Sequence, residues 1–156
     1  MAFEEYVTSN GERLRRGYTT GTCAALAAKA AAELLLNGTA PESVSVLTPA
    51  GVTVTVQPEE VHCCDSASAA ASVAAARAAA GIPDAASSNA NATGPTAHAT
   101  IIKDAGDDYD VTNGTRVCAF VTLCDQDISI DGGIGVGRVT CPGLDQPVGN
   151  AAINSG

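Results

Sequence analysis

Arg15 and Arg16 stand directly before Gly17-Tyr18-Thr19-Thr20-Gly21-Thr22, a short glycine and threonine turn that leads into an Ala-rich stretch. Backbone N–H groups at a helix start, reinforced by the positive end of the dipole, attract anions. Thr19, Thr20 and Thr22 add hydroxyl donors, and the two guanidinium groups add bidentate partners for carboxylates. The segment is not a Walker A loop, because its glycines are one residue too close and no Lys precedes the Thr. Spacing alone favours a plainer role, with Thr20 or Thr22 capping the helix, and leaves the anion site as the functional alternative.

A second group is the acidic stretch Asp104, Asp107, Asp108 and Asp110, closed by Asn113-Gly114. Carboxylates this close repel one another. They cap turns through Asx hydrogen bonds, keep a proton on one member for acid–base work, or hold a hard cation, and the spacing ranks the roles in that order. The pattern is not an EF-hand loop, since no Glu closes it. A third group, Asp131-Gly132-Gly133-Ile134-Gly135-Val136-Gly137-Arg138, has four glycines that let backbone approach a bulky ligand or another strand. It lacks the third glycine of a dinucleotide fingerprint, and Pro142-Gly143 blocks the helix that would receive a pyrophosphate. A bend in a sheet accounts for it equally well.

The remaining reactive types are weaker signals. No Cys-x-x-Cys occurs, and Cys23, Cys118, Cys124 and Cys141 fall in different segments, with Cys118 expected in a core strand. His62-Cys63-Cys64 is the one local cluster, and packing or surface exposure is its expected role. No Ser or Cys stands beside a base in the manner of a hydrolase nucleophile.

The elements that must position these groups follow from periodicity and turn residues. Thr22 to Leu36 reads as a helix stopped by Asn37-Gly38. Ser43 to Thr48 and Val52 to Gln57 alternate around Pro49-Ala50-Gly51 as a hairpin. Residues 1–16 read as mixed and polar. Ser66 to Ala80 reads as a helix ending at Gly81-Ile82-Pro83, and Asp84 to Ala97 as a loop. His98 to Lys103 is expected as a strand, Arg116 to Leu123 as a buried one, and Asp127 to Ile130 runs into the glycine-rich passage. The expected class is α+β, a two-layer sandwich of a mixed sheet with packed helices.

At 156 residues the chain has the length of one domain. Only 3% of residues are aromatic and Trp is absent, so Ala, Val, Leu and Ile must fill the core. The formal charge of −9 argues against nucleic acid or an anionic membrane as a general partner. No apolar run reaches the roughly 20 residues of a membrane span, and no signal core opens the chain, so a cytoplasmic protein with reduced thiols is expected. Arg13, Arg15 and Arg16 are three of only eight basic residues. An anionic small molecule would have to be met there.

Taken in order, the string Arg15 to Cys23 with its Ala-rich continuation, Lys103-Asp104-Ala105-Gly106-Asp107-Asp108 and Gly135-Val136-Gly137-Arg138-Val139-Thr140 resemble the cobalt-precorrin-5B C1-methyltransferase family. Pro142-Gly143-Leu144, Pro147-Val148-Gly149 and Ala152-Ile153-Asn154 extend the likeness almost to the last residue. The resemblance implies methyl transfer from S-adenosyl-L-methionine to C1 of a cobalt-precorrin tetrapyrrole, with the cobalt carried by the substrate. It implies carboxylate-binding positions on Arg15, Arg16, Thr19, Thr20, Gly21, Thr22 and Arg138, with Asn113, Gly114, Gly135 and Gly137 also lining the substrate. One of Asp104, Asp107, Asp108 or Asp110 would orient the macrocycle or accept a proton.

The chain departs from the family pattern at Tyr109 (Pro expected), Cys141 (Lys expected) and Asn150-Ala151 (Glu-Pro expected), and residues 65–97 read as an insertion. Family members continue into a Rossmann-like half, absent here, that is expected to help bind S-adenosyl-L-methionine. The chain alone is therefore not expected to turn over. Two other readings remain, a non-catalytic corrinoid-binding module and a small-molecule kinase with a Gly/Thr phosphate loop.

Overall fold

The computed structural model describes residues 5–9, 11–64, 94–124, 128–133, 135–143 and 146–153. The helix expected over 66–80 lies outside them, as does the expected loop up to residue 93. Contacts group the chain into two compact units, Met1–Cys63 with Thr96–Val121, and Cys64–Pro95 with Thr122–Gly156. The α+β class expected from the sequence is the class observed, with the strands distributed over three sheets.

The first unit begins with a hairpin of β1 (Tyr6–Ser9) and β2 (Glu12–Arg15), antiparallel with Tyr6 opposite Arg15 and Ser9 opposite Glu12. This corrects the reading of the first sixteen residues as merely polar. The Arg13 guanidinium lies 4.1 Å over the Tyr6 ring, a cation–π contact that ties the two strands.

Helix α1 (Thr20–Asn37) follows after the four residues Arg16–Thr19. Its cap is Thr19, whose Oγ1 accepts the Thr22 N–H at 3.2 Å, so Thr20 and Thr22 lie within the first turn and are not the cap themselves. Gly38, at φ 73°, closes the helix by donating its N–H to the Leu34 carbonyl at 2.9 Å, a left-handed position that suits glycine. Cys23, Leu26, Ala27, Ala30, Ala31 and Leu34 repeat at three- and four-residue spacing and form the buried stripe.

That stripe meets β3 (Val44–Leu47), β4 (Thr53–Val56) and β6 (Thr96–Ile102). β3 and β4 form the expected hairpin, with Val44 opposite Val56 and Leu47 opposite Thr53. Val44, Val54 and Val56 point to the core with Ala97, Ala99 and Ile101 of β6. Alanines on both the helix and the strand let the two backbones pack closely, as a core almost without aromatic residues requires.

β6 is the centre of a three-stranded sheet ordered β5-β6-β7, with β5 at Glu60–Cys64 and β7 at Arg116–Thr122. The Lys103 N–H donates to the Thr115 carbonyl and the Gly114 N–H to the Lys103 carbonyl, at 2.9 and 2.8 Å, so β6 turns back antiparallel into β7. The strand expected to be buried is therefore the wrong one of the pair. β7 lies at an edge, alternates exposed and half-buried residues, and exposes Cys118, whereas β6 is buried from Thr96 to Ile101. β6 also includes Thr96 and Ala97, which the sequence reading had placed in a loop, and β5 carries His62-Cys63-Cys64, with His62 and Cys63 exposed.

In the second unit the end of the glycine-rich passage, at Gly137–Val139, pairs with Gly149–Ala152. The Val139 N–H donates to the Asn150 carbonyl at 3.0 Å, the Gly149 N–H to Val139 at 2.8 Å and the Ala152 N–H to Gly137 at 2.8 Å. Arg138 and Ala151 form an antiparallel bridge, and Val139 and Ala151 are buried.

Candidate functional site

Two segments far apart in sequence meet at the end of β2. Arg15 to Tyr18 runs beside Asp104 to Asp107, with Arg16 bridged to Gly106. The Asp107 N–H donates to the Arg15 carbonyl at 3.0 Å, the Arg15 N–H to Asp107 Oδ2 at 2.7 Å, and the Tyr18 N–H to the Asp104 carbonyl at 2.9 Å. Two glycines permit this. A Cβ on Gly17 would fall 2.1 Å from the Ala105 carbonyl carbon, and one on Gly106, whose φ is +66°, would fall 2.3 Å from the Arg15 carbonyl oxygen.

Side chains complete the junction. The Arg15 guanidinium grips Asp104 bidentately, Nη1 to Oδ2 at 2.5 Å and Nη2 to Oδ1 at 2.7 Å. That hydrogen bond holds the Asp104 carboxyl below the usual carboxylate range, against burial and with help from the Gly106 N–H at 2.8 Å. The same contact raises the Arg15 guanidinium further. The Tyr18 hydroxyl donates to the Ile102 carbonyl at 2.9 Å, and burial pushes its pKa up to about 12. Arg15 and Asp104, both named from sequence, are thus partners of each other.

The acidic stretch forms a loop between β6 and β7 that is tied within itself. Asp110 Oδ1 accepts the Thr112 N–H at 2.8 Å and the Thr112 hydroxyl at 2.6 Å, and Asn113 Oδ1 reaches across to accept the Ala105 N–H at 2.9 Å. Asp104 and Asp110 therefore make the Asx hydrogen bonds expected of turn carboxylates. Asp110 is also ion-paired with the Lys103 ammonium, and chiefly that contact drives its carboxyl far below the ordinary range. Asp107, Asp108 and Tyr109 remain exposed on the outer side, as do Asn113 and Gly114. Among the described residues no group of three or more His, Cys, Asp or Glu is arranged to hold a metal ion.

Beyond Tyr18 the chain passes straight into the first turn of α1. Thr19, Thr20 and Gly21 are exposed and Thr22 is half-buried. No acidic side chain occupies this turn, and the nearest atom to a Cβ built on Gly21 is Thr19 Oγ1 at 3.7 Å. Helix geometry leaves the N–H groups of Thr20 and Gly21 without intrahelical acceptors. They belong to exposed residues at the positive end of the dipole. Arg16 lies exposed beside them in sequence, its Nη1 3.3 Å from Glu5 Oε2.

Arg138, Gly135 and Gly137 belong to the second unit. Arg138 is held by Asp131, Nη1 to Oδ1 at 2.9 Å and Nη2 to Oδ2 at 3.2 Å, and its Nη2 points at the Gly132 carbonyl at 3.4 Å. Gly135 and Gly137 are exposed, and a Cβ on either would meet nothing within 4 Å.

Lys103 is the participant that sequence reasoning missed. It is only 4% exposed, and the sequence reading assigned it no role beyond the last residue of an expected strand. The one available signal was its place at the end of an apolar strand, on the face shared by Ala97, Ala99 and Ile101.

The model of the CbiD family matches residues 7–88 and 85–156. The cobalt-precorrin-5B C(1)-methyltransferase of Citrobacter koseri is 40% identical over 155 residues, covering 99% of this chain and 33% of that protein. Proteins of the same name from Ruminiclostridium cellulolyticum and Salmonella newport are 38% and 37% identical, over 97% and 99% of the chain. The chain spans about a third of the length of these relatives. No solved structure matches. With the family model covering the chain from residue 7 to residue 156, this protein belongs to the CbiD family.

Proposed function

We propose that this chain forms the N-terminal, substrate-side portion of an enzyme that methylates C1 of cobalt-precorrin-5B, with S-adenosyl-L-methionine as donor. The observation that carries the reading is the junction of Arg15–Tyr18 with Asp104–Asp107, which brings together parts of two of the three strings that resemble the family. Cobalt-precorrin substrates carry many carboxylates, and an acidic protein needs discrete places to receive them. The first turn of α1 offers two backbone donors and the exposed Thr19 and Thr20, and Arg16 stands four residues before Thr20 in sequence with its guanidinium on Glu5. Arg15 serves one step back, by fixing Asp104 and the course of the chain into that turn.

The chemistry asked of these residues is orientation. A nucleophilic carbon of the macrocycle attacks the sulfonium methyl, and alignment of the two reactants lowers the barrier chiefly through proximity. Asp104 and Asp110 are poor bases in their ion pairs. Asp107 and Asp108, exposed on the loop, are the carboxylates placed to orient the macrocycle or to take up the proton released after transfer. The part of the relatives' length that this chain does not span is expected to contribute to holding the methyl donor. No helix among the described residues is long and apolar enough to cross a membrane, and a cytoplasmic location fits a biosynthetic enzyme of this kind.

The test is methyl transfer by the full-length protein from isotopically labelled S-adenosyl-L-methionine to cobalt-precorrin-5B, followed by mass spectrometry. The expected product carries one labelled methyl at C1. Tetrapyrrole binding without label transfer would instead favour a non-catalytic corrinoid-binding module.

A further inference from the structure

Lys103 is a buried cation whose role no motif announced. Its stem leaves β6 on the face that packs against α1, where Ile101 is also buried, and its ammonium turns out of the core into the base of the acidic loop. There it donates to Asp110 Oδ2 and, at 2.7 Å, to Thr112 Oγ1. The Thr112 hydroxyl in turn donates a hydrogen bond to Asp110 Oδ1, so ammonium, hydroxyl and carboxylate close a three-membered ring of hydrogen bonds. The Lys103 main chain clamps the same loop through the Thr115 carbonyl and the Gly114 N–H.

One residue therefore grips both ends and the interior of the loop. Asp110 is drawn inward by this grip, and Asp107, Asp108 and Tyr109 are left on the outer side. A lysine used only for stability has no need of a loop that presents carboxylates to solvent. Burying an ammonium is costly, and an apolar residue would fill the same position with less difficulty.

We infer that Lys103 is a positioning residue for the methyl-transfer reaction: through Asp110 and Thr112 it fixes the loop that holds Asp107 and Asp108 against the tetrapyrrole. This rests on the function proposed above. It also assigns Asp110 the part of counterion and not of base.

The experiment uses the full-length enzyme with Lys103→Met, Asp110→Asn and the double variant Lys103→Met/Asp110→Asn. Each single change strands one partner, so both singles should melt at lower temperature. The double variant has no stranded charge and should recover most of that loss. Its turnover number should nonetheless stay at least tenfold below wild type, with the KM for S-adenosyl-L-methionine unchanged. Amide hydrogen exchange across Asp107–Thr112 should be faster in it. A double variant that regains its melting temperature and turns over within twofold of wild type would show that Lys103 serves stability alone. A wild-type enzyme that transfers no methyl group to cobalt-precorrin-5B would overturn the functional reading, and the role assigned to Lys103 with it.

Discussion

Both units contain an arginine fixed by an aspartate, and the two arrangements differ in reach. Arg15 and Asp104 are 89 residues apart, and their ion pair is reinforced by backbone bonds and by two glycines with no room for a side chain. Arg138 and Asp131 are 7 residues apart, and glycines 135 and 137 beside them have free space around their α-carbons. The first arrangement joins distant parts of the chain and leaves nothing to spare. The second ion pair is local, although Gly132 beside it is also crowded, a Cβ there falling 2.7 Å from Val136 Cγ1 and 2.8 Å from Ala151 Cβ. The lesson is that similar charged pairs in glycine-rich surroundings can have unequal consequences, decided by what the backbone around them must do.

The glycines give the sharpest way to break this comparison. Gly17→Ala and Gly106→Ala should each destabilise the protein by about 3 kcal/mol or more, since backbone atoms must move and residue 106 is in addition left-handed. Gly137→Ala should fall within about 0.5 kcal/mol of wild type. Chemical denaturation of the three variants reads the difference, and equal losses would dissolve the distinction between the two regions.

Acid sensitivity comes next. Asp104 and Asp110 both have folded-state pKa values below their unfolded ones. Their contribution is fully present above the unfolded carboxylate value of about 4 and disappears as pH falls through the folded values. Asp104→Asn/Asp110→Asn should therefore be less stable than wild type at pH 7 and lose less on acidification below about pH 4. Parallel pH profiles for the two proteins would contradict the assignment. The smallest effect is expected for Arg138→Ala, whose pair is half-exposed and local. About 0–1 kcal/mol is predicted at neutral pH, and less at high salt.

How much of this was legible in the sequence depended on whether the signal was local. α1 was readable because Ala and Leu repeat with its period and Asn37-Gly38 ends it, and the β3–β4 hairpin because valines alternate around a turn. The first hairpin was missed although Asn10-Gly11 is a strong turn signal, because Arg13, Arg15 and Glu12 disguise the alternation of a strand exposed on both faces. β7 was expected to be buried because Cys118-Ala119-Phe120-Val121 is an apolar string, and the structure leaves it half-exposed. Strand order, which decides what is central and what is edge, is a property of tertiary pairing. The same limit hid the fate of the site residues. Arg15 and Asp104 were both recognised as candidates, but that each occupies the other required the fold, and Lys103, read only as the last residue of a strand, gained its role from Asp110 and Thr112 across the loop.

The central claim is that the junction delivers the open start of α1 to an anionic tetrapyrrole, and Gly21→Asp tests it most directly. A carboxylate there complements the helix dipole and should stabilise the fold by about 0.3–1 kcal/mol. The same charge would stand where a substrate carboxylate is to be received. Titration of the full-length variant with cobalt-precorrin-5B, followed by absorbance, should show affinity at least tenfold weaker than wild type in a protein that melts no lower. Unchanged affinity in that equally stable variant would contradict the account.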